Sequence, residues 1–85
     1  MPMLFFHFHD GVERLADAEG AELTPPQARA RALREARALI AHDVLSGTVD
    51  LGHRIEVEEA DGTLFQTLCF RDAVEIRGLN HGQDR

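Results

Sequence analysis

The sequence contains no lysine, tryptophan or tyrosine, and it has one cysteine among its 85 residues. Because one cysteine cannot form an internal disulfide, the fold does not depend on an oxidising compartment. All nine basic residues are arginines, and the formal net charge is -6 at pH 7. This charge works against nonspecific binding of nucleic acid, which requires Lys and Arg to neutralise phosphates. A nucleic acid is therefore not the expected partner.

Long hydrophobic runs are also absent. The apolar start at residues 3–8 is interrupted by His7, is too short for the h-region of a signal peptide and has no basic segment before it. No segment approaches the roughly 20 apolar residues of a transmembrane helix. These features predict no membrane contact and a cytoplasmic location.

The chain has the composition of a small globular protein, with 44% apolar and 28% charged residues. A domain of this size buries only about 60% of the surface that its unfolded chain exposes, so its core is thin. A thin core favours coverage by a second copy or by a partner protein. We therefore expect a homo-oligomer or a complex with another protein.

Turn signals divide the chain into two hairpins around one helix. Asp10-Gly11 and Asp61-Gly62 are both dipeptides typical of hairpin turns. Alternating apolar residues flank each turn and predict four strands, at residues 3–9, about 12–16, 54–59 and 64–70. Residues 71–77 fit either a short helix or an extension of the last strand.

The helix between the hairpins has a clear start and stop. Thr24 fits the N-cap, Pro25 the first helical position and Gln27 the third position of a capping box, while Ser46-Gly47 indicates the end. Apolar residues recur at helical spacing and predict a buried stripe. This stripe consists of Ala32, Leu33, Ala36, Leu39, Ile40 and Val44.

Together these elements predict an α+β fold with a two-layer ββαββ layout, in which one amphipathic helix packs on one face of an antiparallel sheet. Residues 1–77 form a single domain in this prediction, and residues 78–85 form a flexible C-terminal tail. The other face of the sheet, here called the open face, is left uncovered.

The alternation of strand side chains predicts which residues lie on the open face. If Leu4, Phe6 and Phe8 point to the helix, then Phe5, His7 and His9 lie on the open face. On the return strand, Leu64, Gln66, Leu68 and Phe70 are expected to face the helix. The same alternation assigns three return-strand residues to the open face, namely Phe65, Thr67 and Cys69. Phe5 and Phe65 are then exposed aromatic residues.

Several motifs together resemble a family of small, uncharacterised bacterial proteins. They are the opening Met-Pro-x-Leu-Phe-Phe-His-x-His-Asp-Gly, the turn Glu19-Gly20-x-Glu22-Leu23, the Ala-Arg-rich helix and the ending Phe70-Arg71-Asp72-Ala73-Val74-Glu75-Ile76. That family is a domain of unknown function, so the resemblance implies a shared fold and no reaction, cofactor or catalytic residue. An acidic turn followed by an Ala-rich helix is also similar to antitoxin domains of the HicB type.

Two histidines form the one pattern that suggests a metal site. His7 and His9 lie on the same side of a strand and, with Asp10 nearby, form part of a divalent metal site in one interpretation. A third ligand must then come from His42, His53 or His81. The other interpretation is that these are partly solvated histidines of the sheet.

No catalytic constellation is recognisable. Cys69 lies between two apolar residues without a nucleophile motif, Ser46 lies at a helix end, and no Gly-x-Ser-x-Gly sequence is present. The glycines occur at turns and form no phosphate-binding loop. We therefore predict no enzymatic activity and no cofactor.

The helix carries two arginines, Arg31 and Arg34, away from its apolar stripe. They either contact an acidic partner or RNA phosphates, or form a solvated helix face.

These observations favour a noncatalytic protein-interaction or homodimerisation module that uses the open face through Phe5, Phe65 and Thr67. The alternative is an antitoxin-like or regulatory domain that binds a small basic protein or RNA through the acidic surface or through Arg31 and Arg34. A third hypothesis is a metal-binding protein that uses His7 and His9.

Overall fold

The computed structural model describes residues 2–78 and has the predicted α+β class. An antiparallel five-stranded sheet packs against one long helix, and a short second helix follows the last strand. The elements in chain order are β1 Met3–His9, β2 Arg14–Leu15, β3 Ala21–Glu22, α1 Pro25–Ser46, β4 Arg54–Glu59, β5 Leu64–Cys69 and α2 Phe70–Ala73. Of the predicted tail, residues 79–85 lie outside the described residues.

The sheet has the strand order β2-β1-β4-β5, and β3 pairs with β1 on the same edge as β2. β2 pairs near His9, and β3 pairs near Met3. The predicted second strand is shorter than expected because the Asp10 carboxylate accepts hydrogen bonds from the backbone N–H groups of Val12 and Glu13, which places both residues in the turn. β1 is thus covered along one edge, and β5 forms the opposite edge of the sheet.

Helix α1 begins and ends as its caps predict. The Thr24 hydroxyl accepts from the N–H of Gln27 at 3.3 Å, and the Gln27 side chain accepts from the N–H of Thr24 at 2.9 Å. Both hydrogen bonds of the capping box are therefore present. Gly47 adopts a left-handed conformation with φ of 92° and donates its N–H to Val44, which ends the helix.

The core forms where the inner face of the sheet meets a stripe of alanines. The buried residues of α1 are Ala28, Ala32, Ala36 and Ile40. The small side chains of the three alanines let the helix lie close to the largest buried side chains, which are Leu4, Ile55, Val57 and Phe70. Leu39 and Val44 were predicted to belong to the stripe, and both predictions are wrong, since they are 36% and 59% exposed. The buried stripe is narrower than predicted and ends at Ile40.

A β-bulge in β5 changes the predicted facing of the return strand. Gln66 pairs with Val57, whereas Leu64 pairs with Glu58, so Phe65 is an extra residue between them. Because an extra residue reverses the alternation, Leu64 is 56% exposed on the side of Glu58. Phe65 packs against the core instead. The placement of Phe65 on the open face, and of Leu64 towards the helix, is therefore wrong.

Candidate functional site

The open face carries a network of charged side chains. Arg14 Nη1 lies 2.8 Å from Glu58 Oε2 and 3.9 Å from Glu56 Oε1. Arg54 Nε lies 2.8 Å from Glu56 Oε2. The hydrogen bond from Arg54 lowers the pKa of Glu56 below its ordinary value and outweighs the opposing effect of burial. Ion pairs on the open face therefore join β2 to β4 across β1, through Arg14, and also form within β4.

His7 is a buried member of this network, and both of its ring nitrogens have partners. Nδ1 accepts a hydrogen bond from the N–H of Asp17 at 3.0 Å, and Nε2 lies 3.5 Å from Glu58 Oε1. Nδ1 of His7 is therefore occupied by a hydrogen bond within the fold, and Nε2 faces the Glu58 carboxylate.

Phe5 lies on the open face, as predicted, but it is half-buried. Its ring stacks with the His7 ring at a centroid distance of 6.4 Å and an interplanar angle of 6°. Gly20 also packs closely on Phe5, since a Cβ atom at that position would lie 2.8 Å from the ring. Phe5 thus packs against the turn between β2 and β3, and its predicted role in interactions stays a prediction.

Asp17 holds the covering segment against β1. Its carboxylate accepts from the backbone N–H groups of Phe6 at 3.1 Å, Glu19 at 3.1 Å and Gly20 at 3.3 Å. Burial raises the pKa of Asp17, but these three hydrogen bonds outweigh it and hold the pKa below its ordinary value. Asp17 was not among the residues predicted from the sequence, although Asp17-x-Glu19-Gly20 has the composition of an Asx turn.

The predicted metal ligands do not come together with a third group. His9 accepts from the N–H of Gly11 through Nδ1 at 3.0 Å. His53 packs edge-on against Phe8 and Phe70, with ring centroids 5.4 and 5.6 Å away. Within residues 2–78, no group of three or more His, Cys, Asp or Glu side chains has a metal-binding arrangement. His81 lies outside this range, and metal binding by His7 and His9 stays a prediction.

The two predicted helix arginines differ in their surroundings. Arg31 Nε lies 2.7 Å from Glu35 Oε2, and the Arg31 guanidinium lies 4.7 Å from the centroid of the Phe6 ring. Arg34 is exposed and forms no ion pair with another described residue. Arg31 is therefore already engaged within the fold, and Arg34 is the freer of the two.

Two open clefts flank the sheet. A cleft of about 240 Å³ between α1 and β1–β2 has Phe6, Phe8 and Ile55 among its lining residues. A second cleft, of about 390 Å³, lies over the open face beside His7 and Arg14. Neither lining includes Ser, Thr, Cys, Lys or Tyr, so neither cleft supplies a hydroxyl, thiol or amine nucleophile. The absence of an enzymatic activity stays a prediction.

Strand β5 is the free edge of the sheet. It has six residues, Leu-Phe-Gln-Thr-Leu-Cys, and none is charged. Its only strand neighbour is β4, and no backbone group elsewhere in the described chain bonds to its outer side. Thr67, which pairs with Glu56, is exposed, and Cys69, which pairs with Arg54, is half-buried. The edge position of β5 was not predicted, although its lack of charged residues is a sequence signal of a strand that can pair at its edge.

Within the part of the chain that the structure describes, no helix has the length and apolar character required to cross a membrane. No curated protein and no solved structure matches the chain. One family model does match, over residues 3–71, and its description is Domain of unknown function (DUF6894). This confirms the resemblance to an uncharacterised domain family, while a bacterial origin stays an expectation. Because the match covers most of the chain, the protein belongs to the DUF6894 family.

Proposed function

We propose that this protein is a noncatalytic self-association module and that its contact element is the free edge β5. The observation that carries the proposal is an uncharged edge strand whose outer backbone groups have no partner in the described chain. Such a strand is a template for pairing with another strand. We retain the predicted homodimer and the predicted cytoplasmic location. The contact in this homodimer lies at the edge of the sheet instead of on the open face.

The structure of the opposite edge of the sheet supports β5 as the contact element. β1 is covered there by β2 and β3, and Asp17 and His7 hold the intervening segment in place. Exposed Arg14 adds a charge to that edge through β2. Charges and covering segments are the usual means by which a sheet avoids edge pairing. β5 has neither of them among the described residues, which favours its use as a contact.

The open face is a poorer contact surface than the edge. The side chains of Glu56 and Glu58 are only 18% and 16% exposed, and Arg14 and Arg54 neutralise them. Covering this network removes the remaining water from the ions, and their mutual attraction repays that cost only in part. Edge pairing forms new backbone hydrogen bonds and leaves the ion pairs in place.

Sedimentation velocity across a concentration series tests the proposal. Wild type is compared with Thr67→Lys, which places a charge on the exposed side of β5, and with Thr48→Lys, which places the same charge in the exposed loop after α1. We expect reversible dimers of wild type and Thr48→Lys, and at least a tenfold weaker dimer of Thr67→Lys.

Either of two results contradicts the proposal. One is a wild-type protein that sediments as a monomer at the highest concentration. The other is a dimer that Thr67→Lys and Thr48→Lys affect equally. Circular dichroism of both variants tests whether the substitutions preserve the fold.

A further inference from the structure

We infer that the partner strand is β5 of a second copy, paired antiparallel about a two-fold axis at Leu68. In this arrangement Leu68 lies opposite Leu68 of the second copy, and Thr67 lies opposite Cys69 of the second copy. The inference rests on the proposed function and adds the partner geometry to it. A two-fold axis perpendicular to the sheet makes the strands antiparallel and places both α1 helices on one side of a continuous sheet.

The alternation of side chains restricts the register. Leu68 pairs with inner residue Ile55, whereas Thr67 and Cys69 pair with Glu56 and Arg54 of the open face. Residues that lie directly opposite each other in a sheet share a face. The axis must therefore pass through a pair of identical residues, one from each copy. An axis between two successive residues would place a side chain of the inner face in one copy opposite a side chain of the open face in the other.

The ends of the regular strand restrict the register further. The bulge at Phe65 reverses the alternation before Gln66, and α2 begins at Phe70. An axis at Gln66 places Thr67 of one copy opposite the bulged Phe65 of the other. An axis at Cys69 places Leu68 of one copy opposite the helical Phe70 of the other. Both registers place part of the contact outside the regular strand. Axes at Thr67 and Leu68 are the two that keep three residue pairs within residues 66–69.

Packing on the inner face separates these two registers. An axis at Thr67 places half-buried Leu68 opposite Gln66, an apolar side chain against a polar one. An axis at Leu68 places leucine against leucine and continues the inner row Phe8–Ile55–Leu68 across the axis into the second copy. The second arrangement removes more apolar surface from water. The structure thus favours the axis at Leu68.

Disulfide trapping tests this register with two variants. Thr67→Cys retains Cys69, so the axis at Leu68 places the introduced thiol of one copy opposite Cys69 of the other. Thr67→Cys/Cys69→Ser keeps the introduced thiol and removes its partner. Both proteins are incubated in a glutathione redox buffer at a concentration where wild type is dimeric, and the covalent dimer is quantified on non-reducing gels.

We expect at least tenfold more covalent dimer from Thr67→Cys than from the double variant. Wild type serves as a control with little covalent dimer, because two Cys69 residues are diagonal neighbours at about 7–8 Å, beyond disulfide reach. Equal trapping of both variants indicates the axis at Thr67 and overturns the register. The register is also overturned if neither variant forms a covalent dimer although wild type dimerises and Thr67→Lys weakens that dimer. In these two cases the proposed function stands. A wild-type protein that sediments as a monomer overturns both the proposed function and the register.

Discussion

The backbone N–H of Asp17 donates to Nδ1 of His7 at 3.0 Å, while the Asp17 side chain accepts from the backbone N–H of Phe6, the residue before His7. These two hydrogen bonds join the segment between β2 and β3 to the middle of β1. They occupy the edge of β1 over the residues that neither short strand pairs with. The edge of β1 is thereby covered. The edge strands beside it, β2 and β3, have only two residues each, whereas the free edge β5 has six.

The carboxylate of Asp17 is expected to stabilise the fold. Asp17→Asn should lower the free energy of unfolding at pH 7 by about 1–3 kcal/mol, because the amide loses the charge that strengthens three backbone hydrogen bonds. Urea denaturation measures the change. Asp43→Asn is the control, since no hydrogen bond to the Asp43 carboxylate occurs among the described residues, and an equal loss in both variants contradicts the assignment.

The pKa of Asp17 also predicts how stability depends on pH. The pKa in the folded protein lies below its ordinary value, which is roughly 3.9 in the unfolded chain. The contribution is therefore complete above that ordinary value and is lost as the pH falls through the folded pKa. The difference in unfolding free energy between wild type and Asp17→Asn should be constant from pH 7 to about pH 5 and shrink below about pH 4. A difference that stays constant down to about pH 2.5 contradicts the prediction.

His7 is expected to act as a hydrogen-bond acceptor inside the fold. His7→Ala should destabilise the protein by about 1–3 kcal/mol, because it leaves the N–H of Asp17 without its partner. His7→Asn places an amide oxygen near the position of Nδ1 and should recover part of the loss. His42→Ala, at an exposed position of α1, is the control for thermal denaturation. Equal losses from the Ala and Asn variants indicate a packing role alone.

The contact between Gly20 and Phe5 can be separated from the backbone strain of a left-handed residue. Gly20 and Gly11 both have positive φ, at 69° and 93°, but only Gly20 lies close to an aromatic ring. Gly11→Ala should cost about 1–2 kcal/mol through strain alone. Gly20→Ala should cost about 1–3 kcal/mol more, because its Cβ overlaps the Phe5 ring. Equal losses in chemical denaturation mean that the turn moves away from Phe5 without cost.

Zinc is expected to leave the melting temperature unchanged. Nδ1 of His7 already accepts a hydrogen bond from Asp17, and in residues 2–78 no group of three or more His, Cys, Asp or Glu side chains has a metal-binding arrangement. Calorimetry of wild type and of a His7→Ala, His9→Ala double variant, each with and without zinc, measures this. A rise in the melting temperature of wild type that the double variant lacks establishes the metal site and contradicts the assignment of His7.

The candidate site was predicted less well than the fold. Period two correctly placed Phe5 and His7 on the open face, since β1 is regular along its length. The same rule failed at Phe65, because the extra residue in β5 reverses the alternation between Gln66 and Leu64. A bulge has no reliable signature in six residues, so the direction of Phe65 depended on how β5 pairs with β4.

Local interactions allowed the sequence by itself to determine the elements of this protein. The capping box of Thr24 and Gln27 joins residues three positions apart, and Gly47 and Gly62 adopt the left-handed conformations that helix ends and tight turns require. Signals of this kind act over a few residues and do not depend on the rest of the chain. The start and end of α1 and the turns of both hairpins followed from them.

Only the tertiary structure decided how these elements form edges and contacts. The ion pair between Arg14 and Glu58 joins residues 44 positions apart, and the Asp17 side chain meets the Phe6 backbone across 11 positions. Such contacts depend on which strands become neighbours, and strand order is settled by packing of the whole sheet against α1. The charged open face, the covered edge of β1 and the free edge β5 all follow from that order, because each is defined by strands that are distant in the chain.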